Sequence, residues 1–178
     1  MLINSSLKDV LLDCSIDKFI KNGIPEEDAK VLLKHLHYCI GDLNFKLLLK
    51  TDNVFGNNTT QGFEEGNILC DINPTVFEPA RRVENGGICL AFLFFSNALS
   101  TKSWIAVPRR GEGYDYTCVD KQNKKIIVEA GARTTKYGAR NDLSLKRARF
   151  KRLGVRKEPT YISSVGFMEG EHIVHRFK

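Results

Sequence analysis

The stretch Lys125-Ile126-Ile127-Val128-Glu129-Ala130, continued by Gly131-Ala132-Arg133, decides how the chain is read. Three β-branched residues in a row behind a polar turn at 120–124 predict a strand, the strongest in the chain. An acidic residue, Glu129, stands at its end.

Reading toward the N-terminus, residues 114–119 predict a partner strand joined to the first by the polar hairpin turn. Before it comes a basic, glycine-rich turn at 109–113, then a short strand over 103–107 stopped by Pro108. Gly86-Gly87 lead into an apolar segment, 88–99, long enough for a buried helix. On the other side, 143–153 predicts a helix closed by Gly154, where a C-terminal cap commonly falls. Two further strands are expected over 160–167 and 172–177. Helix, three strands, helix and two strands make an α/β class over 78–178.

The first 50 residues read differently. Ser5-Ser6 can cap a helix carrying Leu7, Val10, Leu11 and Leu12, with Ile16, Phe19 and Ile20 extending the stripe as far as Asn22-Gly23. Pro25 opens a second helix, with Glu26, Glu27 and Asp28 at its positive end. A third apolar piece spans 43–49. The expectation is an N-terminal helical arm over 1–50, a loop or linker over 51–77 and the α/β domain over 78–178. Asn, Gly and Thr dominate 53–66, and a loop of that length is usually functional, mobile or a linker.

Composition narrows the class. The 178 residues are 42% hydrophobic and 27% charged, as in an ordinary globular protein. The longest apolar run, 88–95, is far short of the roughly 18–20 residues of a membrane span, so no membrane partner is expected. No secretory signal is read at the start, and the expected location is cytoplasmic. Five widely spaced cysteines without a C-x-x-C pair predict reduced, mostly buried thiols. His35 and His37 fall on different helix faces, and His172 and His175 on a terminal strand, so neither pair is read as a metal site.

Charge is unevenly placed. Residues 1–77 hold 7 Lys/Arg against 11 Asp/Glu, whereas 78–178 hold 20 against 10 and every arginine in the chain. A basic, arginine-rich half points to a polyanion, since the guanidinium fork suits phosphate. Lys146, Arg147, Arg149, Lys151, Arg152, Arg156 and Lys157 crowd one segment and interleave with apolar residues. They are read as phosphate contacts, with Arg109 and Arg110 adding a second contact from the glycine-rich turn. Tyr114, Tyr116 and Tyr137 are read chiefly as packing residues, with base stacking as the alternative.

Asp115 opens one strand and Glu129 ends the next, so a short hairpin sets the two carboxylates side by side. Two such groups repel unless a cation lies between them, and hard oxygen donors suit Mg2+, with Mn2+ as the alternative. This order of elements, with Asp115 and Glu129 in these places, resembles the restriction-endonuclease-like superfamily, the PD-(D/E)xK nucleases, over about 78–167. The resemblance implies a Mg-dependent nuclease acting on DNA more readily than RNA. It also implies Asp115 and Glu129 as metal ligands, Glu84 as an assisting acid with Glu78 behind it, and a basic helix after the third strand. Contexts such as phage defence are further implied.

One position departs from the pattern. The family ends its third strand Glu-x-Lys, and here the lysine slot holds Gly131. Either Arg133, Lys136 or Lys146 supplies the missing cation from elsewhere, or the chain is a silent nucleic-acid-binding or scaffolding subunit. The acidic N-terminal part would then dock a protein partner or a second copy. The dinucleotide fingerprint, the phosphate loop and the serine-hydrolase elbow are all absent from the sequence.

Overall fold

The computed structural model describes residues 10–41, 47–51, 59–64, 78–106, 114–154 and 157–177. In chain order these form β1 (Val10–Asp13), α1 (Ile16–Lys21), α2 (Glu26–Ile40), β2 (Leu47–Thr51), β3 (Thr59–Glu64) and α3 (Pro79–Ala98). There follow β4 (Lys102–Ala106), β5 (Tyr116–Val119), β6 (Lys125–Arg133), α4 (Lys136–Leu153), β7 (Thr160–Gly166) and β8 (Glu171–Arg176). The strands join one open, mixed sheet in the order β1-β3-β2-β8-β7-β6-β5-β4. The class is α/β, and the C-terminal part runs helix, three strands, helix, two strands, as its sequence pattern predicts.

The Ile126-Ile127-Val128 run is apolar without alternation because helices cover both faces of β6. Ile126, Val128, Ala130 and Ala132 join the main core beneath α3, together with Leu90, Phe92 and Phe95. The alternate set, Ile127, Glu129 and Gly131, faces α4. β6 and β7 are parallel, and α4 is the crossover between them.

Two helices start earlier than their apolar patterns suggest. α3 begins at Pro79 and runs straight through Gly86-Gly87. A Cβ on Gly87 would meet the Ala132 Cβ at 2.5 Å, so glycine lets the helix press against β6. All seven residues from Cys89 to Phe95 are buried, because α2 closes the side away from the sheet. α4 begins at Lys136, where the Thr135 hydroxyl accepts the Gly138 N–H at 3.2 Å. Its first two turns bury only Ala139 and Asp142, so no apolar stripe announces them.

The N-terminal part departs from the helical arm expected of it. α2 follows Pro25 with its three acids in the first turn, and α1 lies within the first expected helix. But Val10–Asp13 and Leu47–Thr51 are strands where helix was expected, and β3 lies inside the expected linker. β2 pairs in parallel with β8, and β1 with β3, so these residues extend the same sheet. Short leucine-rich runs carry no periodicity that separates strand from helix, and sheet pairing decides them. Ser5-Ser6, residues 52–58 and 65–77 of the linker, and Cys70 lie outside the described residues.

A polar rivet joins the two parts. Glu171 on β8 takes Lys50 of β2 at 2.8 Å and a forked pair of bonds from Arg140 of α4, each 2.8 Å. Three of the four described cysteines, Cys14, Cys89 and Cys118, are buried. No helix among the described residues is long and apolar enough to cross a membrane.

Candidate active site

The β5–β6 hairpin places the two carboxylates. Tyr116, the first residue of β5, pairs with Val128 of β6, and Asp115 and Glu129 are the next residues beyond that pair on the two strands. The Asp115 N–H donates to Val128 O at 3.2 Å, and Asp115 Oδ2 accepts the Ala130 N–H at 3.0 Å. Both acids line one cleft together with residues of α4.

α4 answers with one stripe of its own. Asp142, Lys146 and Arg149, spaced i, i+4 and i+7, lie on the helix face turned to β6. The Lys146 ammonium donates to Ala130 O at 2.8 Å, pairs with Asp142 at 2.9 Å and stands 3.8 Å from Glu129. Arg149 forms an ion pair with Glu129. Asp142 is buried and also binds Arg133 at 2.6 Å, so it anchors two cations at once.

Gly131 explains why this arrangement fits. A Cβ at that position would overlap the Lys146 ammonium and lie 2.7 Å from Asp142 Oδ2. The lysine from α4 therefore occupies the space above the third position of Glu129-Ala130-Gly131. Of the three cations considered as substitutes, it is Lys146 that enters. Arg133 turns to Asp142, and Lys136 lies over the Tyr137 ring at 5.5 Å.

These groups line a cleft of about 490 Å³, with Arg152 and Leu145 on the α4 side and Glu84 on the α3 lip. Burial pushes the Glu129 carboxyl up to about 7; the Asp115 charge adds to the push, while Lys146 and Arg149 oppose it. Asp115 is also pushed upward, by burial first, against the Ala130 N–H and the same two cations. Glu129 Oε2 is buried and meets no hydrogen-bond donor. A buried carboxyl raised by a neighbouring acid's charge, with one oxygen unmet, is an arrangement common at functional sites.

Not every expected residue stands at the carboxylate pair. Glu84 is about half exposed and pairs with Arg81 at 3.3 Å, although its charge reaches Asp115. Among the described residues no group of three or more His, Cys, Asp or Glu side chains is placed to hold a metal ion. Arg147 and Lys151 are exposed on α4, and Arg109 and Arg110 lie outside the described residues. His172 is buried against Ser163 at 2.9 Å, and burial holds it down to about 3. Asp142 was missed in the sequence, although its spacing of four from Lys146 is that of a helical ion pair.

Comparison with protein-family models, with curated proteins and with solved structures finds no match to this chain.

Proposed function

We propose that this chain is a metal-dependent nuclease of the restriction-endonuclease-like kind, hydrolysing phosphodiester bonds with DNA as its substrate. The observation that carries the reading is that Asp115 and Glu129 share one cleft with the Lys146 ammonium above Gly131. The donor set fits Mg2+ or Mn2+: two carboxylates in one cleft and a buried Glu129 Oε2 without a donor. Such an ion, when bound, polarises the phosphodiester and makes a water nucleophilic near neutral pH.

The chain's own residues supply the rest. Asp115 and Glu129 hold the ion, with Glu84 assisting from the α3 lip. Lys146 stabilises the negative charge that grows on the phosphate, the work of the lysine for which Gly131 leaves room. Asp142 keeps that ammonium in place. Arg149 and Arg152 line the cleft, and Arg147 and Lys151 extend the positive surface for neighbouring phosphates.

Supercoiled plasmid incubated with the protein and Mg2+ is expected to be cut, and the Asp115→Ala, Glu129→Ala double variant to leave it intact. Equal cutting by both proteins withdraws the assignment. One observation favours a second reading, a silent nucleic-acid-binding subunit: Glu129 Oε1 already meets both Lys146 and Arg149. On that reading the protein binds DNA in a salt-sensitive way with no turnover.

A further inference from the structure

The acidic cleft carries its own counter-charges. Four basic and four acidic side chains line it, so its formal charges cancel before any ligand enters. Two of the basic groups already stand on the carboxylate assigned to the metal, since Lys146 and Arg149 both meet Glu129 Oε1. A cation on either oxygen of that carboxylate stands next to both. A divalent cation arriving alone is therefore repelled by Lys146 and Arg149, and a phosphate arriving alone is repelled by Asp115 and Glu129. Arriving together, the two ligands offset each other, provided that one basic side chain leaves Glu129.

The two basic groups are not equally held. The Lys146 side chain is 11% exposed and is also fixed by Ala130 O and by Asp142. The Arg149 side chain is 37% exposed, so its guanidinium is open to an incoming anion. Arg152, one turn further along α4, is exposed and lines the same cleft. A phosphate held by Arg152 is thus a helical turn from Arg149. A guanidinium takes phosphate with the same fork that takes carboxylate, so exchanging one for the other keeps its charge paired.

We propose that the Arg149–Glu129 ion pair is a latch that a substrate phosphate opens. The guanidinium passes from Glu129 to the phosphate, and the carboxylate it leaves becomes available to the divalent cation. Nucleic acid and cation then bind cooperatively, and the cation binds weakly when nucleic acid is absent. The inference rests on the phosphodiester reading of the cleft and adds a control on when that site is assembled.

The probe is Ca2+, titrated calorimetrically into the full chain at constant ionic strength, with and without a short DNA duplex. The unaltered protein is expected to bind Ca2+ about tenfold more tightly when the duplex is present. Arg149→Met and the milder Arg149→Gln are expected to raise Ca2+ affinity about tenfold with no DNA added. Adding Glu129→Gln to either variant is expected to remove that gain. Lys125→Met, the same loss of charge at an exposed residue of β6, is the control. An Arg149 gain no larger than that of the control overturns the latch and leaves the phosphodiester reading standing. Equal Ca2+ affinity of the unaltered protein with and without the duplex does the same. Failure of all these proteins to bind Ca2+, with or without DNA, overturns the latch and the metal-dependent reading together.

Discussion

Glu129 and Glu171 are both buried glutamates, and each is met by one lysine and by one arginine from α4. Arg140 and Lys50 cover both oxygens of Glu171, and these bonds, Arg140 first, hold its carboxyl down to about 2. Arg149 and Lys146 crowd one oxygen of Glu129, leave the other without a donor, and share the space with Asp115, so burial drives that carboxyl up to about 7. The same helix thus makes a structural rivet at one end and an unsatisfied acid at the other. What separates them is geometry around the carboxylate, since the residue types are the same.

The sharpest way to break this contrast is to move the lysine. Lys146→Ala is expected to lower plasmid cleavage by about 10²–10³-fold, the cost of losing one preorganised charge at the transition state. Adding Gly131→Lys to that variant puts an ammonium where the α4 lysine stood, and at least a tenfold recovery of rate is expected in the same assay. No recovery would mean that Lys146 does something other than fill that space.

Next in size is stability. Glu171→Gln is expected to cost about 2 kcal/mol in urea unfolding, because two charged donors lose their ionised partner. Glu129→Gln, by contrast, is expected to leave stability near neutral pH unchanged or raised while abolishing cleavage. A comparable loss for both variants would erase the distinction between rivet and site.

The pH dependence sharpens it further, because the two groups act in opposite senses. The folded Glu171 carboxyl lies below its ordinary 4.5, so its contribution is present above that value and is lost as pH falls from 4.5 toward 2. The folded Glu129 carboxyl lies above 4.5, so the folded state holds its proton longer and stability declines as pH rises from 4.5 to about 7. Chemical unfolding across pH is expected to show each slope vanish in the matching Gln variant.

The smallest effect lies in the arginines. Arg140→Lys removes a forked contact and is expected to cost about 1 kcal/mol. Arg149→Lys is expected to change stability by less than about 0.5 kcal/mol while weakening DNA binding. Thermal unfolding and a binding titration check the pair.

Much of the C-terminal architecture could be read directly from the chain. The β-branched run before Glu129, the polar turn at 120–124 and Gly154 announce their elements through rotamer stiffness and turn geometry, which act locally. The hairpin likewise predicts that Asp115 and Glu129 face each other, because opposition in a short hairpin needs only the register of two adjacent strands. The leucine runs of β1 and β2 carried no such local signal. They are strands because β3 and β8 offer them hydrogen-bonding edges, and that offer comes from residues far along the chain.

Local chemistry therefore determined the α/β order, the acidic pair and the basic character of α4. Tertiary structure alone decided which cation fills the space over Gly131, why Asp142 matters and why Glu129 and Glu171 diverge. Each of those outcomes depends on how a helix face meets a sheet face across several ångströms, and on how much water that meeting excludes. Spacing along a chain encodes neither quantity.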